Sequence, residues 1–164
     1  MLRGARRTWG VAMDNRVAIP GYKRWLDPTT GAAPPVHVAF LDVEEDPAHD
    51  VQGAIVEVDV PTLFALDARE RNYTRVDLDP ARVDGAQGGP LVTYVGSPDG
   101  RARLAEGRAA GTAVVARAYL DLVLERFAAL GLLDAFDATP LDLPVIDLVR
   151  VDLPADGPTT FRDG

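Results

Sequence analysis

Short apolar runs bounded by turn residues, one long stretch of helical periodicity, and no regular alternation of strand with helix predict a single α/β domain of the α+β kind. Its expected architecture is a curved mixed β-sheet or small barrel with one long covering helix. The chain has 164 residues, enough for one domain that hides about two-thirds of its unfolded surface. Hydrophobic residues at 47% and charged residues at 26% are the proportions of a globular chain.

A first strand is expected over residues 9–13. Residues 36–43, VHVAFLDV, are almost continuously apolar, which predicts a central strand covered on both faces and closed by Glu44-Glu45-Asp46-Pro47. Over residues 51–60 the alternation of Val56, Val58 and Val60 with Glu57 and Asp59 predicts a strand with one wet face. Pro61 then opens a short helix, residues 61–69, because a first-turn proline gives up an N–H that has no partner there. Glu70 is thereby placed at a helix end leading into a strand. Residues 73–78 and 91–95 complete the strand set, with a surface loop of Pro, Asp and Gly over residues 79–89.

The long helix is expected over residues 108–130, where Val115, Tyr119, Leu122, Val123, Phe127 and Leu130 recur at helical spacing and Gly131 supplies a stop. Residues 145–153 read as a last strand or strand-like tail. The domain is drawn as residues 1–154, with 155–164 as a frayed, disordered tail.

Several chemistries are excluded by missing residues. The formal charge of −8 disfavours a nucleic-acid partner, and Arg3, Arg6 and Arg7 read as a solvated terminus. The absence of cysteine removes disulfides, thiolate metal sites and a cysteine nucleophile, and fits a cytoplasmic location. No run of about 18 apolar residues is present to span a membrane as a helix. His37 and His49 lack neighbours at metal-ligand spacing, so no metal is expected. The acidic run Asp42, Glu44, Glu45 and Asp46 reads as a solvated turn. Ser97 is the only serine, and Gly96-Ser97-Pro98-Asp99-Gly100 reads as a turn instead of a nucleophile elbow. The glycine-rich segment Gly85-Ala86-Gln87-Gly88-Gly89 ends in Pro90 and opens no helix, so no phosphate site is expected.

Four segments carry a resemblance. These are Trp9-Gly10-Val11-Ala12-Met13-Asp14-Asn15, then Ile19-Pro20-Gly21-Tyr22-Lys23, then the strand pair, then Leu66-Asp67-Ala68-Arg69-Glu70-Arg71-Asn72-Tyr73. In this order they resemble bacterial members of the gamma-glutamylcyclotransferase-like family, whose pattern places a leucine-aspartate pair, a glutamate three residues on, and a tyrosine before a strand. The likeness covers about residues 9–150 and extends to Tyr94-Val95-Gly96.

The resemblance implies a cofactor-free intramolecular aminolysis of a small γ-glutamyl amine or peptide, releasing 5-oxoproline, with Glu70 as general acid and base. It also implies Tyr73, Tyr94, Met13 and Asn15 as substrate-binding residues. Tyr73 reads equally as a half-buried strand tyrosine, and Asp14-Asn15 equally as a turn signal. The family's Tyr-Gly-Ser or Tyr-Gly-Thr loop does not precede Trp9, so the domain is expected to be N-terminally incomplete, with an open sheet edge and a homo-oligomer as its consequence. A catalytically silent binding or assembly domain, and an amide hydrolase of the same fold, are the alternatives.

Overall fold

The structure is a computed structural model that describes residues 1–156 and 158–161. The chain opens on β1 (Leu2–Asp14), passes through two short strands, β2 (Val17–Ala18) and β3 (Lys23–Leu26), and then runs along β4 (His37–Val51). Helix α1 (Val60–Arg69) leads into a ribbon of β5 (Tyr73–Leu78) and β6 (Leu91–Gly96), joined by a loop that starts with a 3-10 turn. Helix α2 (Pro98–Ala109), strand β7 (Ala113–Ala116), helix α3 (Arg117–Ala129) and the short α4 (Leu133–Asp137) follow. Three short strands end the described chain: β8 (Val145–Ile146), β9 (Val149–Asp152) and β10 (Thr160–Phe161).

The main sheet has the order β1-β4-β7-β8, antiparallel between β1 and β4 and parallel from β4 onward. It is mixed, as expected, but it does not close: β5 with β6, β3 with β9, and β2 with β10 form separate two-stranded ribbons. The barrel alternative is therefore corrected to an open sheet. The apolar run of β4 explains its central place. Val38 and Phe40 point into one core, with Val11, Met13, Tyr22, Trp25 and Leu148, while Ala39 points into the other, with Trp9, Val115, Val123 and Phe136. Both faces are buried, and successive side chains divide between them.

The expected long helix is two helices and a strand. Gly111, with φ 67°, ends α2, and the β-branched Val114 and Val115 pair as β7 before α3 begins. The 3.6-residue spacing of Val115 with Tyr119 is thus coincidental, since Val115 is a strand residue of the core, while the inward side of α3 carries Tyr119, Leu120, Val123, Leu124 and Phe127. Gly96-Ser97-Pro98-Asp99-Gly100 is the start of α2 instead of an isolated turn: the Ser97 hydroxyl accepts from the Gly100 N–H at 3.0 Å, and proline occupies the first turn.

The basic terminus and the acidic run also differ from expectation, for one shared reason. They pair with each other, as β1 and β4. Arg6 lies opposite Glu44 in the ladder and bonds it at 3.0 Å, Arg3 pairs with Asp84, and Arg7 reaches the Ala135 and Gln52 carbonyls while stacking over Phe127. Pro47 is tolerated inside β4 because the ladder shifts register between Arg3 and Ala5 and leaves its missing donor unneeded.

Residues 52–59 form no regular structure, which corrects the strand expected over 51–60. β4 ends at Val51, and Val60 already belongs to α1. No described strand lies beside this stretch, so its alternating valines have nothing to pair with, and Val56 is 72% exposed. At the other end of the chain, Thr160–Phe161 pair antiparallel with Val17–Ala18, within the segment expected to be frayed. Residues 157 and 162–164 of that segment lie outside the described residues. No described helix is long and apolar enough to cross a membrane.

Candidate functional site

Glu70 is set by the end of α1. Asp59 caps the helix start by accepting from the Thr62 N–H at 2.8 Å, and Glu70 itself is the C-cap, its N–H donating to the Leu66 carbonyl at 2.9 Å. No residue of α1 is fully buried. Side-chain bonds hold it instead: Asp67 accepts from the Tyr94 hydroxyl at 2.7 Å and pairs with Arg75 at 2.7 Å, tying the last turn to the β5–β6 ribbon. Tyr94 and Arg75 are ladder partners, so a single carboxylate grips both strands.

Beyond Glu70 the chain is fixed to β4. The Tyr73 N–H donates to the Glu70 carbonyl at 3.0 Å, and the Tyr73 hydroxyl donates to the Leu41 carbonyl at 2.5 Å. The Tyr119 hydroxyl accepts from the Leu41 N–H at 3.3 Å, so two tyrosines satisfy the backbone N–H and carbonyl of one residue at the register shift in the β1–β4 ladder. Asn72, between Glu70 and Tyr73, is buried and links three elements. It accepts from Arg103 of α2 at 3.0 Å through its side chain, accepts from the Ser97 N–H at 2.9 Å through its carbonyl, and donates to the Tyr22 hydroxyl at 3.4 Å.

The Glu70 side chain is 23% exposed, and one of its oxygens, Oε1, accepts from Arg69 at 2.8 Å. Oε2 accepts no hydrogen bond among the described residues. The charge of Glu70 acts on Tyr22, Tyr73, Tyr119 and Lys23. Burial, reinforced by that charge, pushes Tyr22 and Tyr119 each up to about 12 and raises Tyr73 as well. All three phenols are neutral at ordinary pH. Burial also pulls Lys23 down to about 8, with Arg150 adding to the effect and Glu70 opposing it.

Tyr22 and Lys23 reach this place through a tight turn. The Tyr22 N–H donates to the Ile19 carbonyl at 3.1 Å across Pro20 and Gly21, and Gly21 has φ 71°, the pattern of a type II turn. β3 then pairs with β9, and alternation turns Lys23 and Trp25 inward together.

Four residues were expected beside substrate, and the structure treats them unequally. Asn15 is 0% exposed, and its amide is spent on structure: Nδ2 donates to the Trp25 and Pro34 carbonyls at 2.8 and 3.0 Å, while Oδ1 accepts from the Trp25 N–H at 3.0 Å. Met13 is core, packed with Tyr22, Trp25 and Phe40. Both are corrected from substrate contacts to packing residues. Tyr73 lies next to Glu70, but its hydroxyl is bound to backbone, and Tyr94 acts on Asp67. Tyr22, Lys23, Asn72 and Tyr119 were not singled out, because the pairing of β3 with β9 that turns Lys23 inward joins segments far apart in the chain.

His37 is buried with Nδ1 2.9 Å from Thr112 Oγ1, and no group of three or more His, Cys, Asp or Glu among the described residues is arranged to hold a metal. An open depression of ≈ 250 Å³ lies between the start of α3 and β9, lined by Pro28, Arg117, Asp121, Asp147 and Leu148. Its charged groups Arg117 and Asp147 pair with each other at 2.9 Å, and it does not include Glu70. Comparison with family models, with curated proteins and with solved structures returned no match.

Proposed function

We propose that the chain is a gamma-glutamylcyclotransferase-like enzyme in which Glu70 moves the proton during closure of a γ-glutamyl group to 5-oxoproline. The observation that carries the reading is the setting of Glu70. Its carboxylate is partly exposed, has one oxygen without a hydrogen bond among the described residues, and acts by its charge on three neutral tyrosines and one lysine. The resemblance of Leu66-Asp67 and Glu70-Arg71-Asn72-Tyr73 to the family pattern supports the same residue.

Glu70 accepts a proton from the α-ammonium of the substrate, and the freed amine attacks the γ-carbonyl carbon. As the C–N bond to the leaving amine breaks, the same carboxyl returns that proton to the departing nitrogen, and the remaining extra proton of the ring nitrogen follows by the same carboxylate, leaving a neutral lactam and the amine as its ammonium. Charge balances without cofactor or water. Ring closure holds nucleophile and electrophile in one molecule, so positioning supplies much of the acceleration. The Tyr22 hydroxyl, which has no acceptor of its own among the described residues, is available to donate to the carbonyl oxygen as it gains charge.

The test incubates the purified chain with γ-glutamyl amines and dipeptides and separates products. 5-Oxoproline with free amine supports cyclisation, glutamate with free amine supports the hydrolase alternative, and neither product rejects catalysis. A silent assembly domain is the second reading, favoured by the exposed apolar residues Ile55, Val56, Val60 and Phe64.

A further inference from the structure

Lys23 is the only lysine in the chain, every other one of the 17 Lys and Arg residues being arginine. It occupies an inward position of β3, where burial argues against a long cationic side chain. Its ammonium rests 4.0 Å from the Phe40 ring centroid and 5.2 Å from that of Tyr22, and it makes no ion pair or hydrogen bond among the described residues. Aromatic faces stabilise the cation only in part and leave its N–H donors unspent.

The neighbouring charges are otherwise engaged. On β9, Arg150 is bonded to Asp152 at 2.7 Å; at the end of α1, Arg69 is bonded to Glu70; on α2, Arg103 is bonded to Asn72 and to the Ala12 carbonyl. Arg71 lies over the Tyr22 ring at 5.5 Å. The surroundings of Tyr22 thus hold more positive than negative charge: Lys23, Arg71 and Arg103 have no ion pair among the described residues, and Lys23 and Arg71 meet only aromatic rings through their cationic groups.

The geometry points to Lys23 as the binding residue for the α-carboxylate of an amino-acid headgroup, the substrate's α-ammonium facing Glu70. This rests on the cyclotransferase reading and adds to it a requirement: the γ-glutamyl substrate must carry a free α-carboxylate. Lys23 and the chain just past Glu70 meet at Tyr22, whose ring lies under both the Lys23 ammonium and the Arg71 guanidinium and whose hydroxyl accepts from Asn72. A cation and a carboxylate brought into this neighbourhood match in sign the two charges of a zwitterion, and a carboxylate reaching Lys23 would supply the hydrogen-bond acceptor that the fold does not. Lysine suits the position where arginine does not, because its compact ammonium fits against Phe40 without presenting a five-donor fork.

The single lysine makes the test unambiguous. The chain is labelled with ¹³C,¹⁵N-lysine, so that one side-chain signal reports Lys23, and is titrated with L-5-oxoproline and with its α-carboxamide. The acid is expected to shift the signal saturably and to raise the pH at which the amine titrates, while the carboxamide leaves both unchanged. In turnover, Lys23→Met is expected to raise KM for γ-glutamyl-ethylamide by about 10- to 100-fold with a smaller change in kcat, and Lys23→Arg to recover part of the loss. A Lys23 signal unmoved by the acid, or moved equally by the carboxamide, overturns the assignment even if the enzyme is active. A signal that responds to the acid in a chain that releases no 5-oxoproline leaves the carboxylate site standing and removes the cyclotransferase reading.

Discussion

Asp42 brings a carboxylate into the centre of the fold, where burial raises its proton affinity, and three groups answer it. The Gly96 N–H donates to Oδ1 at 2.6 Å, the Val43 N–H donates to the same oxygen at 2.7 Å, and Arg101 lies 2.8 Å from Oδ2. A Cβ at Gly96 would land on that carboxylate and within 2.5 Å of Val11 Cγ1. Gly96→Ala is therefore expected to cost about 2 kcal/mol or more, read from the urea midpoint at unchanged m-value. An unchanged midpoint would show that the Asp42 site yields freely. Lys23 offers a second test at this scale. Folding lowers it from 10.5 to about 8, so between those values the unfolded chain holds the extra proton and stability rises with pH. The stability of the wild type relative to Lys23→Met is expected to increase between about pH 7 and about pH 10, and a flat difference would place the amine in solvent. The place of Glu70 at a helix end leading into a strand was legible in the sequence from Pro61 and the strand pattern that follows. Asn15 and Met13 were misread because a strand end looks the same whether its side chains meet a ligand or a core. Lys23 was invisible as a site because only the pairing of β3 with β9 turns it inward.

Among the elements, α1 is the least supported, for it buries no residue fully and leaves Phe64 66% exposed. Its attachment runs through Asp67 to Tyr94 and Arg75, all part-exposed, and such bonds contribute about 1 kcal/mol or less. Asp67→Ala is expected to speed amide hydrogen exchange in residues 60–70 while exchange in β4 stays as slow as before. If Glu70 is the acid/base group proposed above, Asp67→Ala is also expected to lower kcat for 5-oxoproline release by roughly tenfold, since a loosened α1 moves Glu70 off position. Equal acceleration in both elements would mean that α1 and the sheet open together. Helix α1 was readable from Pro61, although its cap Asp59 was read as a strand residue, and β4 from its apolar run. The division of α2, β7 and α3 was not, because Val-Val in a helical pattern becomes a strand only when β4 is there to pair with it.

At the level of the molecule, an open mixed sheet packs one core on each face, and the site forms where β3, the end of α1, β5 and α3 converge. The sequence carried the fold class and the central strand; the open form of the sheet depended on contacts distant in the chain. The unpaired stretch of residues 52–59, with Ile55, Val56 and Val58 exposed, is a strand pattern without a neighbour. Such stretches recruit one, so concentration-dependent association is expected in sedimentation velocity, and Val56→Lys is expected to weaken it. Sedimentation as a monomer at all concentrations would remove that expectation. The central claim is that Glu70 carries the proton in a ring-closing aminolysis, and the direct measurement compares wild type with Glu70→Gln for 5-oxoproline and amine released from γ-glutamyl-ethylamide. Equal amounts of the two products from the wild type, with a loss of at least about 100-fold in the variant at unchanged thermal stability, are what the account requires. Undiminished release by Glu70→Gln would contradict it.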